Sequence, residues 1–208
     1  MYMRVIKLYE EFNKYQIATI CAKYGIENYT INPDGSIDVD GDVYFNNQDL
    51  YKLPLKFNKV SGHFYCYDSS LFSLEGSPRE VGGDFYCSTN RLKTLEGCPD
   101  IVGGFFNCNN NIISTLEYCP KKVNDFSCNN NSLYSLEGLT TNIGNHFSCE
   151  SNPVWEIWKL INDDEHLELF LDYDIVRDGN TIILDRLNDL LDLIGKPKVT
   201  SVKGYKCI

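Results

Sequence analysis

The chain has 208 residues, with 29 Asp and Glu against 19 Lys and Arg, and a net charge of −10 at pH 7. So acidic a balance argues against a general nucleic-acid binder, whose phosphate contacts need a basic face, and no apolar run approaches the ~18 residues of a membrane span. The nine cysteines are odd in number and include no C-x-x-C pair, which points to free thiols in a reducing cytoplasm rather than to disulfides or a zinc site.

From the N-terminus, Val5, Leu8, Tyr9, Phe12, Ile17, Ile20, Cys21 and Tyr24 recur at helical spacing and predict a helix over 5–24, stopped by Gly25. The opening residues Met1 to Glu11 are charged too early for a signal peptide, so a cytoplasmic protein is expected. Tyr29 to Val39 reads as a hairpin turning at Pro33-Asp34-Gly35. Asp38 to Asp42 has the acids of a calcium loop without its spacing: Gly41 is at the wrong offset, and Asp49 stands where a Glu is needed. No metal and no cofactor are expected.

From Val39 to Val154 the sequence repeats itself. Cys66, Cys87, Cys108, Cys128 and Cys149 are spaced by 21, 21, 20 and 21 residues. Each sits two residues after a phenylalanine (Phe64, Phe85, Phe106, Phe126, Phe147), which itself follows Val60, Val81, Val102, Val123 or Ile143. Two further ladders are Leu71, Leu92, Ile113, Leu133, Val154 and Leu74, Leu95, Leu116, Leu136. Leu-Glu-Gly turns start at Leu74, Leu95 and Leu136, and Pro78, Pro99 and Pro120 come after this part of the unit. Phe and Cys alternate with polar residues, as a strand with one buried face requires. A period of this length marks a stacked array in which like residues form ladders. The ladder cysteines then read as small buried hydrophobes. So short a unit leaves little room for a helix, and extended or 3₁₀ segments are expected opposite the strands.

The copies Phe85-x-Cys87-x-x-Asn90-x-Leu92, Phe106-Cys108-Asn111-Ile113, Phe126-Cys128-Asn131-Leu133 and Phe147-Cys149-Asn152-Val154 resemble the leucine-rich-repeat family, in particular its short-repeat bacterial and phage branch. Phe and Cys stand in for two leucines. The departures are Ser69 in place of Asn and a one-residue deletion between Val123 and Phe126. The resemblance implies an α+β fold: a leucine-rich-repeat solenoid (39–154) with a parallel sheet on its concave face, an N-terminal helix-hairpin cap (1–38) and a C-terminal α+β cap (155–208). It also implies that outward side chains of that sheet recognise a partner protein. By analogy with small proteins of this branch, a phage-encoded protein acting in the host-cell cytoplasm on a host or defence protein is one such role.

Beyond the repeats, Pro153 opens a helix that would bury Val154, Trp155, Ile157, Trp158 and Ile161. Residues 165–171 read as helical, and Asp178-Gly179-Asn180 as a hairpin turn. A helix is expected over Thr181 to Ile194, closed by Gly195, and a strand or docked tail over Val199 to Ile208. This module is strongly acidic through Asp192.

No catalytic constellation is visible. His63, His146 and His166 are scattered, and there is no phosphate-binding glycine loop or nucleophile elbow. The outward strand positions supply the candidate partner-binding residues Tyr44, His63, Tyr65, Tyr67, Asp84, Tyr86, Phe105 and Asn107. Tyr44, Tyr65 and Tyr86 share one position in consecutive strands. Tyrosine gives large, rigid contact area with a polar tip, and the same ladder would also stabilise the sheet by cross-strand pairing. The expected function is non-catalytic binding of a partner protein by a monomer or weak dimer, with no nucleic acid and no membrane involved. Two other readings stand beside it. The acidic C-terminal cap could mimic nucleic acid or occupy the basic pocket of an enzyme, with the repeats as scaffold. The chain could also be a carbohydrate-binding adhesin, against which the free thiols and missing export signal count.

Overall fold

Two rows of strand pairing run through each repeat, and they set the architecture. The structure, a computed structural model, describes residues 2–140, 142–161 and 164–208, with side chains from residue 13 onward except at 164. Helix α1 (Tyr2–Lys23) comes first; its apolar positions Val5, Leu8, Tyr9 and Phe12 lie outside the described side chains, while Ile17 and Cys21 are buried. Strands β1 (Tyr29–Ile31) and β2 (Ile37–Val39) form an antiparallel hairpin. Its turn is closed by the Asp34 carboxylate, which accepts from the Ser36 N–H at 3.0 Å.

After β3 (Val43–Tyr44), each unit supplies a strand, a break and a second strand. These are β4 (Phe57–Val60) with β5 (Phe64–Tyr65), then β6 (Glu80–Val81) with β7 (Phe85–Tyr86). In β8 (Ile101–Asn107), β9 (Lys122–Ser127) and β10 (Ile143–Ser148) the break is bridged and the strand runs through. The first row pairs β2, β4, β6 and the start of β8 in parallel; the second pairs β3, β5, β7 and the end of β8. Because β8 belongs to both rows, they join into one ten-stranded sheet, with β9 and β10 added beside β8.

The fold is therefore of the α/β type, with a large mixed sheet, mostly parallel, and few helices. This corrects the expected α+β leucine-rich-repeat solenoid with one parallel sheet on a concave face. The physical reason lies in the repeat itself. Val60, Val81, Val102 and Val123 form one inward ladder and Phe64, Phe85, Phe106 and Phe126 another, none more than 2 % exposed. Each ladder drives its own row of parallel pairing, and the β1–β2 hairpin adds the antiparallel element. The phenylalanine rings stack at 5.3 Å (Phe64–Phe85) and 5.6 Å (Phe85–Phe106). The deletion after Val123 appears as a register shift: Val102 faces Val123, but Phe105 faces Asp125.

Polar side chains hold the turn after each strand. Asn111 Nδ2 donates to the carbonyls of Cys87 and Cys108, both at 3.1 Å, and its Oδ1 accepts from the Leu92 N–H at 3.0 Å. Asn90, Asn131 and Asn152 repeat this arrangement. Just before each, the backbone turns left-handed, at Thr89, Asn110, Asn130 and Ser151. The Leu-Glu-Gly turns are left-handed too, at Gly76, Gly97 and Gly138. In the copy between Gly97 and Gly138 the position is held by Tyr118, with φ of 66°.

At the C-terminal side, α2 (Trp155–Ile161) is followed by a 3₁₀ turn (Asp164–His166) and α3 (Leu167–Asp172). A three-stranded sheet of β11 (Val176–Arg177), β12 (Thr181–Ile182) and β13 (Lys206–Cys207) frames α4 (Leu184–Leu193). The helix expected from Thr181 starts only at Leu184, because Thr181 and Ile182 pair with both neighbouring strands. Trp158 lies edge-on to Phe147 at 6.0 Å and continues the ring ladder into this module. At the other end Tyr24 meets Phe45 at 4.9 Å. No helix among the described residues is long and apolar enough to cross a membrane.

Candidate partner-binding face

In β3, β5 and β7 one residue points inward and the next outward. Val43, Phe64 and Phe85 fill the core, which leaves Tyr44, Tyr65 and Tyr86 on the open side, in register with one another. The Tyr44 and Tyr65 rings stack with centroids 5.3 Å apart, and Tyr65 and Tyr86 repeat that spacing with their rings tilted. Phe105 meets Tyr86 edge-on at 5.6 Å. Tyr67 lies edge-on to both Tyr65 and Tyr86, at 6.2 and 6.4 Å. His63 stacks on Tyr65 at 5.6 Å. Asn107 follows Tyr86 in register, and its Oδ1 accepts from the Asn109 N–H at 3.1 Å. The structure thus brings Tyr44, His63, Tyr65, Tyr67, Asp84, Tyr86, Phe105 and Asn107 into one continuous patch.

Behind the rings runs a ladder that sequence reasoning missed. The breaks between β4 and β5 and between β6 and β7, and the unpaired middle of β8 beside them, leave backbone N–H groups without strand partners, and side chains of the preceding unit take them up. Asp42 Oδ1 accepts from the His63 N–H at 2.7 Å, His63 Nδ1 from the Asp84 N–H at 2.9 Å, and Asp84 Oδ1 from the Phe105 N–H at 2.8 Å. Glycine just before each donating N–H makes room: a Cβ on Gly83 would stand 2.7 Å from His63 Nδ1, and one on Gly62 or Gly104 would collide with the Asp42 or Asp84 carboxylate. The available signal was the Gly that precedes His63, Asp84 and Phe105. Because His63 Nδ1 accepts a hydrogen bond, the ring carries its proton on Nε2. The 3.3 Å approach of Asp84 Oδ2 to Nδ1 is then a neighbour contact rather than an ion pair.

The electrostatics follow from these bonds. The His63 N–H, and then the Tyr44 hydroxyl at 2.8 Å, hold the Asp42 carboxyl below the usual carboxylate range. Burial raises the Tyr65 phenol, and the charge of Asp84 raises it further; Tyr86 is raised by the same two causes in the same order. Tyr44 is raised chiefly by its bond to Asp42. All three phenols stay protonated. The Tyr65 and Tyr86 hydroxyls have no hydrogen-bond acceptor among the described residues.

The rest of the face is satisfied internally. Asn109 Oδ1 accepts from the Ser127 hydroxyl and the Asn129 N–H, and Asn129 Oδ1 from the Ser148 hydroxyl and the Glu150 N–H, at 2.6–2.8 Å. Burial pushes the Cys66, Cys87, Cys108 and Cys128 thiols up, which makes them poor nucleophiles. Among the described residues no cluster of His, Cys, Asp or Glu is placed to hold a metal ion. In the C-terminal module acids meet bases from two elements: Lys198 of the tail reaches Asp192 at 3.5 Å, and Arg186 of α4 reaches Asp174 at 2.7 Å. No protein-family model, curated protein or solved structure was found to match this chain at a significant level.

Proposed function

We propose that this chain is a non-catalytic binding module that grips a partner protein on the face built by Tyr44, Tyr65 and Tyr86. The observation that carries the reading is the Tyr65–Tyr86 pair: in ring contact, half-buried, and with both hydroxyls uncommitted. Rings held on two sides lose little entropy on binding, and a free phenol can donate to a partner. Farther along the same ladder Ser127 and Ser148 spend their hydroxyls on neighbouring side chains, so free polar tips are confined to the aromatic end. The acidic cap is the weaker candidate, because Lys196, Lys198, Lys203 and Lys206 follow its acids in sequence and break up the negative field. Membership of the leucine-rich-repeat family, with a bacterial or phage setting, belongs to the same proposal and rests on the recurring Phe-x-Cys-x-x-Asn-x-Leu copies.

The test is an affinity capture from cell lysate with wild type beside Tyr65→Ala/Tyr86→Ala. Loss of the ring pairs costs roughly 0.2–1 kcal/mol each, so the double variant stays folded by circular dichroism and urea unfolding. A protein retained by wild type and lost by the folded variant supports the reading. A protein retained equally by both moves the site off the aromatic strip, and capture by neither removes protein binding as the function.

A further inference from the structure

Positive charge is distributed unevenly over the repeats. The open face and its flanks (residues 40–47, 61–68, 82–89, 103–110, 124–130 and 144–151) contain Asp40, Asp42, Asp68, Asp84, Asp125 and Glu150 but no Lys or Arg. Of the eight Lys and Arg in the repeats, Lys52, Arg91 and Lys93 lie in segments beyond the second row, and the other five, Lys56, Lys59, Arg79, Lys121 and Lys122, lie on or beside the first row of pairing. There Lys56 pairs with Asp34, Lys59 with Glu80 and Lys121 with Asp100, at 2.7–2.8 Å. One row is thus charge-balanced. The other presents carboxylates and tyrosine side chains with no Lys or Arg of its own to answer them. Asp42 and Asp84 stand directly against the rings: Asp42 accepts from the Tyr44 hydroxyl, and the charge of Asp84 is felt at Tyr65 and Tyr86.

Resting on the reading of this face as a binding site, we propose that the partner presents an extended, arginine-rich segment, its guanidinium groups set over the exposed Tyr44 ring, at the uncommitted hydroxyls of Tyr65 and Tyr86, and against Asp42 and Asp84. A ring face carries the negative part of its quadrupole and attracts a cation placed over it. Arginine fits better than lysine. Its planar, weakly hydrated guanidinium stacks on an aromatic ring while its edge donates to a carboxylate. A face without cations also discriminates: an acidic segment would be repelled and would find no counter-charge.

The experiment uses a fluorescently labelled peptide of alternating Arg and Ser and its citrulline counterpart, which keeps the shape and removes the charge. Anisotropy titrations compare wild type with Tyr65→Leu/Tyr86→Leu, with Asp84→Asn, and with Asp185→Asn/Asp189→Asn on α4, each checked for folding. Leucine keeps bulk and removes the aromatic ring with its hydroxyl, while Asp84→Asn removes the charge and keeps an oxygen that can accept from the Phe105 N–H. The Arg peptide is expected to bind wild type and the α4 variant alike. The Tyr variant should weaken it about tenfold and Asp84→Asn by about threefold. The citrulline peptide should bind wild type at least about tenfold more weakly than the Arg peptide. Equal binding of the two peptides overturns the proposal, as does Arg-peptide binding that ignores the strip variants or falls only in the α4 variant. Citrulline-peptide binding that is strong and lost with the Tyr variant would overturn the cationic partner while keeping the strip as the docking face.

Discussion

Asn111 carries, in one carboxamide, the link between two successive turns. It is buried, donates to carbonyls of its own and the preceding unit, and accepts a backbone N–H from the preceding unit. Asn111→Ala would leave those groups buried and unpaired, at a cost of about 3 kcal/mol. The urea midpoint of the variant should fall accordingly; a midpoint within error of wild type would contradict this role. The recurring Asn was legible in the sequence. The left-handed residue just before it was not, because Thr89, Asn110, Asn130 and Ser151 share a backbone angle rather than a chemistry. Thr89, with φ of 54°, is the β-branched residue among them and the most strained. Thr89→Asn should therefore raise stability by about 1 kcal/mol in urea unfolding. Tyr118→Gly, restoring the residue found at Gly97 and Gly138, should do the same.

Among the elements, the strand row with its cysteines shows what periodicity conveys and what it hides. The 21-residue step placed Phe and Cys inward, and the structure buries Phe64, Cys66, Phe85 and Cys87 completely. Periodicity did not reveal that Val60, Val81 and Val102 drive a row of pairing of their own, since a valine ladder reads the same whether its backbone is paired or merely packed. The Asp42–His63–Asp84 ladder was hidden for a related reason: a carboxylate just before a strand looks exposed until the neighbouring unit is seen to leave an unpaired N–H beside it. The buried thiols make the row sensitive to alkali. An unfolded thiol titrates near pH 9.0, while burial holds Cys66, Cys87, Cys108 and Cys128 higher in the folded chain. Above that pH the unfolded chain loses protons first. The stabilising contribution is therefore complete below pH 9 and is lost as pH climbs, by about 1.4 kcal/mol per pH unit for each thiol. Unfolding free energy measured above pH 9 should fall steeply, and Cys108→Ala should flatten that fall by one thiol's share. An unchanged slope would show that Cys108 is not the buried neutral group described.

Across the whole molecule, each repeat pairs only with its two neighbours, so order is passed along a continuous ladder of rings from Tyr24 to Trp158. Inner rings such as Phe85 and Phe106 have a like ring on both sides. Phe147 has Phe126 on one side and the Trp158 indole on the other, and Trp158 in turn packs on Phe170 at 5.4 Å. Trp158→Ala removes one piece that couples the C-terminal module to the repeats, beside the Tyr205 hydroxyl that donates to the Tyr134 carbonyl at 2.7 Å, an expected loss of about 3–5 kcal/mol. Because contacts are local, that loss should not spread evenly. Hydrogen exchange should report faster opening of α2 and β10, a smaller change in β9, and near-native protection of β5 and β7, where the aromatic strip sits. Exchange that quickened equally from β3 to β10 would mean that the sheet opens as one cooperative unit. The graded outcome has a functional corollary: Trp158→Ala should retain the Arg-peptide affinity of wild type while its C-terminal module frays, since the residues that make the binding face are held by ladders that begin several strands away.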